Sequence, residues 1–199
     1  NFSTGRVYDQ IRQSIAYSEK NVKVCASHAG VTLGEDGATH QILEDMGMMK
    51  MLPNFTVINP CDYNQTKAAT IAIADYEGPV YLRFGRPKWP IFTDPNQKFE
   101  IGKALKLIEG TDVTIFATGH LVWKAIEAEA ILQEQGISAE VINIHTIKPL
   151  DEKAILASVA KTGCAVSAEE HQMAGGLGES IASTLARNDM KPLEIVAVN

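Results

Sequence analysis

The chain has 199 residues, 45% of them hydrophobic and 21% charged, with a formal net charge of -6. That length and composition close one large or two small cores and exclude a disordered chain. Lysines and arginines are scattered, which argues against a nucleic-acid binder, and no apolar run reaches the length of a membrane span. Cys25, Cys61 and Cys164 have no CxxC spacing, so neither a disulfide framework nor a zinc site is expected, and a reducing, cytoplasmic setting fits. The start, Asn1-Phe2-Ser3-Thr4-Gly5, lacks a methionine and the regions of a signal peptide, and the last segment reads as a strand that stops at Asn199. The chain therefore reads as a piece cut from a longer protein.

In chain order, Val7, Ile11 and Ile15 predict a helix over residues 6–18. A short buried strand follows over 22–26, then a glycine-punctuated loop, then a helix over 41–52 that Pro53 stops. A strand is expected over 55–58, a helix from Asp62 to about Tyr76 with Gln65 completing a capping box, and a strand over 80–83. Residues 85–99 are rich in proline and polar groups and read as an interdomain linker. Beyond it come a strand over 113–117, a helix over 121–135 closed by Gly136 and a strand over 140–144. Asp151 caps a helix ending near Gly163; a strand over 165–168, a helix over 177–187 and a buried strand over 194–198 complete the chain. This alternation predicts an α/β fold of two consecutive domains, each a mostly parallel sheet with helices on both faces.

The densest chemistry lies between Ser27 and Gln41, where His28, Glu35, Asp36 and His40 share a loop with Gly30, Gly34 and Gly37. Glycines there free the backbone to take positive φ and to pass close to a ligand. The loop leaves the carboxyl end of a predicted strand, which is where parallel sheets bind ligands. A solvated turn is the bland alternative, and the spacing matches no zinc signature. Arg83 ends the apolar strand Val80-Tyr81-Leu82, with Arg86 on the next turn. It reads either as a surface cation or as a fork for phosphate or carboxylate. Gly175-Gly176-Leu177-Gly178 is a poor dinucleotide fingerprint and suits tight helix-sheet packing better; Glu169, Glu170 and His171 read as an acid/base set or as a polar interface.

From His28 to Gln41 the chain matches a pattern of the form His-x-x-x-x-x-Gly-Glu-Asp-Gly-x-Thr-His-Gln, and in this it resembles the transketolases. Supporting matches are Gly5 to Arg12, Tyr81-Leu82-Arg83, Ile147-Lys148-Pro149-Leu150-Asp151, and Glu169-Glu170-His171 through Gly178. The resemblance implies most of a pyrimidine-binding domain over 1–88 and of a transketolase C-terminal domain over 89–199. It implies thiamine diphosphate as cofactor, with Mg2+ or a similar ion and the diphosphate held by an N-terminal half or subunit that this chain does not contain, together with the glutamate that protonates the aminopyrimidine. The activity implied is transfer of a two-carbon ketol unit from a ketose phosphate to an aldose phosphate in the pentose phosphate pathway, by a homodimer or heterotetramer. No nucleic-acid or membrane partner and no metal ligand in this chain are expected, and the isolated chain is expected to be inactive and to self-associate. By resemblance His28 and Arg83 hold the sugar phosphate, Asp36 recognises an acceptor hydroxyl, His40 stands beside the reacting carbonyl and Phe2 stacks on the aminopyrimidine. Deoxyxylulose-phosphate synthase, the beta subunit of a 2-oxo acid dehydrogenase and a noncatalytic assembly subunit are the alternative readings.

Overall fold

The computed structural model describes residues 1–199 and holds two sheets. The first has the order β1 (Lys23–Ala26), β3 (Val80–Arg83), β2 (Thr56–Ile58), β7 (Thr146–Lys148). The second has the order β4 (Leu105–Ile108), β6 (Ala139–Asn143), β5 (Val113–Ala117), β8 (Ala165–Gln172), β9 (Leu193–Val198). Within each sheet the pairs are parallel except at β7 and β4, which lie antiparallel on an edge. The expected α/β architecture of mostly parallel sheets flanked by helices is therefore present. The sheets do not follow the chain in two clean blocks, because β7 comes from the second half and completes the first sheet beside β2.

Strand periodicity explains how both faces are covered. In β2 and β3, Val57 and Tyr81 pack with Met46 and Met49 of α2 (Asp45–Met51). Their neighbours Ile58, Val80 and Leu82 pack with Ala69 and Ile73 of α3 (Tyr63–Ala74) on the opposite face. In the second sheet Ile115, Ala117, Ala139 and Val141 meet Val122 and Ala125 of α4 (Leu121–Glu134). Phe116 and Ile142 meet Ile155 and Val159 of α5 (Glu152–Thr162) and Leu177, Ile181 and Leu185 of α6 (Leu177–Arg187). One cluster of 19 buried residues contains members from both halves of the chain, so the two sheets share a core.

Asp62 and Asp151 cap α3 and α5 as expected, although the Gln65 side chain accepts from the Cys61 amide rather than from Asp62, so the return bond of the capping box is displaced by one residue. Asp62 accepts from the Gln65 amide at 2.9 Å, and its other oxygen ties down Phe92 and Thr93 of the irregular segment between β3 and β4. Asp151 accepts from Ala154 at the start of α5, and Gly163 closes that helix with φ 80°.

Several expectations need correction. Residues 6–18 form a 3-10 turn (Gly5–Val7), a single α turn, α1 (Tyr8–Ile11), and wider π turns (Arg12–Tyr17) rather than one helix. The helix expected from residue 41 starts at Asp45, because Ile42 pairs with Gly30 instead. Strand β1 is a half-exposed edge, and β9 alternates between half-buried and exposed positions, so neither is a fully buried strand. Strand β8 runs on to Gln172, which makes Glu169, Glu170 and His171 strand residues. Strands β4 and β7 are additional.

His145 lies at the turn between β6 and β7, 4% exposed, with its ring 4.2 Å from that of Phe99. Burial lowers its pKa to about 4 from the usual value of about 6.5, and the Asp151 carboxylate only partly opposes this. The folded state keeps this imidazole neutral while the unfolded chain protonates below about pH 6.5. Its contribution is therefore whole above that pH and is lost as the pH falls toward 4. Unfolding in urea from pH 7 to 4 should show His145→Asn losing about 3 kcal/mol less stability than the parent chain over that range.

Candidate functional site

The glycine-punctuated loop leaves the carboxyl end of β1, as a ligand loop of a parallel sheet should. Its base is closed by the Gly30 amide, which donates to Ile42 O at 2.9 Å, and by the Gln41 side chain, which donates to Val31 O at 3.0 Å. Gly34 and Gly37, with φ of 87° and 72°, let the intervening chain fold back so that the His40 amide donates to Gly37 O. His28, Asp36 and His40 are all exposed on this loop.

Each histidine is oriented by its neighbour. The Ser27 hydroxyl lies 2.8 Å from His28 Nδ1, and the Thr39 hydroxyl lies 2.9 Å from His40 Nδ1. In both rings Nε2 is left for a ligand. His28 sits at φ 63°, a conformation that side chains other than glycine adopt at a cost of roughly 1–3 kcal/mol. Phe2 meets His40 edge to face at 4.8 Å and has the Arg6 guanidinium 4.2 Å from its ring centroid.

The two arginines of the following strand and turn part company. Arg83 is 2% exposed, and its guanidinium is committed inside the protein. Its Nε donates to Asp45 Oδ2 at 2.7 Å and its Nη2 to Asp45 Oδ1 at 3.3 Å and to Glu170 O at 2.8 Å. The Tyr81 hydroxyl also donates to Asp45 Oδ2, at 2.7 Å. Burial opposes ionisation of Asp45, yet the adjacent guanidinium and the Tyr81 hydroxyl hold its carboxyl below the ordinary carboxylate range. Arg83 is thus placed as a structural ion pair, away from the surface where His28, Asp36 and His40 stand. Arg86, three residues on, reaches that surface. Its Nη2 donates to Glu35 Oε1 at 2.6 Å, and its Nη1 donates to Leu33 O and lies 3.5 Å from Asp36 Oδ2. Arg86 is the residue the sequence reading leaves unassigned. Its position beyond Gly85, on the turn rather than in the apolar strand, is the signal that separates it from Arg83.

The acidic pair and histidine of β8 form an interface. Glu169 accepts from the Leu177 and Gly178 amides at 2.7 and 2.8 Å, filling the positive end of α6, and a Cβ on Gly176 would lie 2.4 Å from its carboxylate. Burial pushes its pKa up. Glu170 Oε1 accepts from the Val31 and Thr32 amides at 2.8 and 2.6 Å. His171 Nε2 accepts from the Gly47 amide at 3.2 Å, which fixes α2 against β8. A Cβ on Gly178 would lie 2.6 Å from Ile195 and 2.7 Å from Ser167, so the missing side chain serves helix-sheet packing.

Among known families, the profile for the transketolase pyrimidine binding domain matches residues 1–90 and that for the transketolase C-terminal domain matches residues 102–198. The 6-deoxy-6-sulfo-D-fructose transketolase subunit of Clostridium sp. strain MSTE9 is 44% identical over 99% of this chain and 61% of its own length. An apulose-4-phosphate transketolase subunit of Phocaeicola vulgatus is 37% identical over 99% of this chain and 63% of its own length. A solved structure described as a split gene transketolase, inactive beta4 tetramer, is 42% identical and superposes with a TM-score of 0.94, covering all of this chain and 64% of the other. The chain thus spans about three fifths of the length of these relatives.

The placement of Arg83 has a measurable consequence. Replacing it with leucine leaves the Asp45 carboxylate buried without its cation, and the Arg83→Leu chain should lose about 3–5 kcal/mol of unfolding free energy in urea. Adding Asp45→Asn should recover part of that loss, as expected for two side chains in direct contact.

Proposed function

The chain belongs to the transketolase family, and on that premise we propose that it forms, with a diphosphate-binding half, an enzyme moving a two-carbon ketol unit between phosphorylated sugars. The observation that carries this reading is the position of Arg86 beside Asp36 on the exposed loop face, where an anionic sugar can be met by a guanidinium and a hydroxyl acceptor together. A phosphate monoester suits the planar guanidinium fork, with the His28 Nε2 as a further donor. The phosphate contact that the family pattern gives to Arg83 passes to Arg86 in this proposal, because the Arg83 guanidinium is already bound by Asp45 and Glu170 O. Asp36, an acceptor when ionised, suits a sugar hydroxyl, and His40 suits a proton held near the reacting carbonyl.

The residues present fit the pyrimidine end of thiamine diphosphate. Phe2 is 42% exposed and offers an aromatic ring for stacking, with His40 fixed against it. When bound, that cofactor supplies the electron sink for cleavage of the carbon-carbon bond. This chain's residues would bind and orient the sugar and hold the proton at His40 Nε2, and the diphosphate with its divalent ion falls to the other half. The cavity of about 410 Å3 beside the Arg86 turn, lined by Phe84, Trp89, His120 and Tyr63 among others, includes none of Phe2, His28, Asp36, His40 and Arg86. We take the pyrimidine-binding part as residues 1–88 and the C-terminal part as 89–199, in a cytoplasmic enzyme. The similar tetramer described as inactive supports an isolated chain that self-associates without turnover.

Mixing the chain with a diphosphate-binding half, thiamine diphosphate and Mg2+ should give transfer from xylulose 5-phosphate to ribose 5-phosphate. In that mixture Arg86→Ala should raise KM for the phosphorylated acceptor about ten- to a hundredfold while leaving glycolaldehyde, which has no phosphate, within about twofold. Equal losses on both acceptors would remove the phosphate role.

A further inference from the structure

We propose that Glu170 is a positioning residue: its carboxylate, supplied by the C-terminal half, holds the loop of His28, Asp36 and His40 in register with the turn of Arg86. The loop side of the contact is built for an anion. After Gly30, whose φ is 83°, the successive amides of Val31 and Thr32 converge on Glu170 Oε1 at 2.8 and 2.6 Å. Consecutive amides aimed at one point form an anion-binding concavity. A Cβ on Gly30 would stand 2.2 Å from the Glu170 carboxyl carbon, so the carboxylate is seated directly against the glycine.

The other oxygen meets His120, whose ring carries the contact on to the Arg86 turn. Glu170 Oε2 lies 2.9 Å from His120 Nε2, and the His120 ring stacks on Trp89 with centroids 4.3 Å apart and planes at 4°. Trp89 follows Arg86 by three residues. The Glu170 backbone oxygen also accepts from Arg83, which anchors this point of β8 to the end of β3. One side chain, 6% exposed, thus joins the loop that leaves β1 directly to His120 after β5, and reaches the turn of Arg86 through the stacked rings of His120 and Trp89. Its two oxygens serve different loops, so its removal should change how the loops sit relative to each other before it changes the chemistry. That is the difference between positioning a substrate and merely holding the fold together.

The kinetic arm of the test rests on the transketolase reading above; the exchange arm does not. In the complex with the diphosphate-binding half, Glu170→Ala should speed hydrogen exchange at the Val31 and Thr32 amides at least about tenfold. The Leu177 and Gly178 amides, held by the adjacent Glu169, should be unchanged and report that the fold is intact. KM for ribose 5-phosphate should rise about tenfold with kcat within about threefold. Glu170→Gln keeps an oxygen for the two amides and should fall between the parent and the alanine variant in both readouts. If the alanine variant does not fold, the glutamine variant decides, with exchange at Val31 and Thr32 about two- to fivefold faster than in the parent. Parental exchange at those two amides, or a fall in kcat at constant KM, would overturn the proposal. If the parent complex shows no transfer at all, the enzymatic reading fails while the exchange result still judges the contact.

Discussion

A guanidinium taken out of water must be met by an opposite charge and by acceptors for its remaining N–H groups, and Arg83 imposes that demand at the meeting point of the two sheets. Asp45 answers it from the first turn of α2, and the backbone of Glu170 answers it from β8. Helix α2 is also held to β8 through Gly47 and His171, and its methionines fill the face beneath Tyr81. The pair therefore sets where the first sheet, its helix and the second sheet stand relative to one another, and the exposed loop inherits its footing from that arrangement.

Two arginines three residues apart consequently do unlike work. Arg83 holds its charge inside, where a low dielectric makes the Asp45 pairing strong and its loss costly. Arg86 keeps a solvated guanidinium beside Glu35 and Asp36, where exchange of a carboxylate for an incoming anion costs little. A cation proposed to bind and release a substrate suits the second environment.

Much of this was readable from residue order. Periodicity and caps locate β3, β5, α5 and α6 nearly to the residue, because their strand runs are unbroken, Asp151 and Gly163 bracket α5, and α6 has a clear apolar stripe. The loop from His28 to Gln41 announces itself by density of polar groups and glycine. What escaped depends on partners distant in sequence. Strands β4 and β7 have four and three residues and owe their existence to edges offered by β6 and β2. Arg83 reads like a ligand cation until Asp45 is seen beneath it, 38 positions away. Glu170 likewise lies 138 or more positions from the amides it holds, and no local pattern encodes that distance.

Strand β7 leaves the second half to pair with β2, and a cluster of 19 buried side chains runs through both sheets. Severing the polypeptide in the irregular stretch between β3 and β4 would strip the first fragment of its β2 neighbour and bare apolar surface on both pieces, inviting aggregation through the open strand. Each piece expressed by itself would carry part of that common core uncovered.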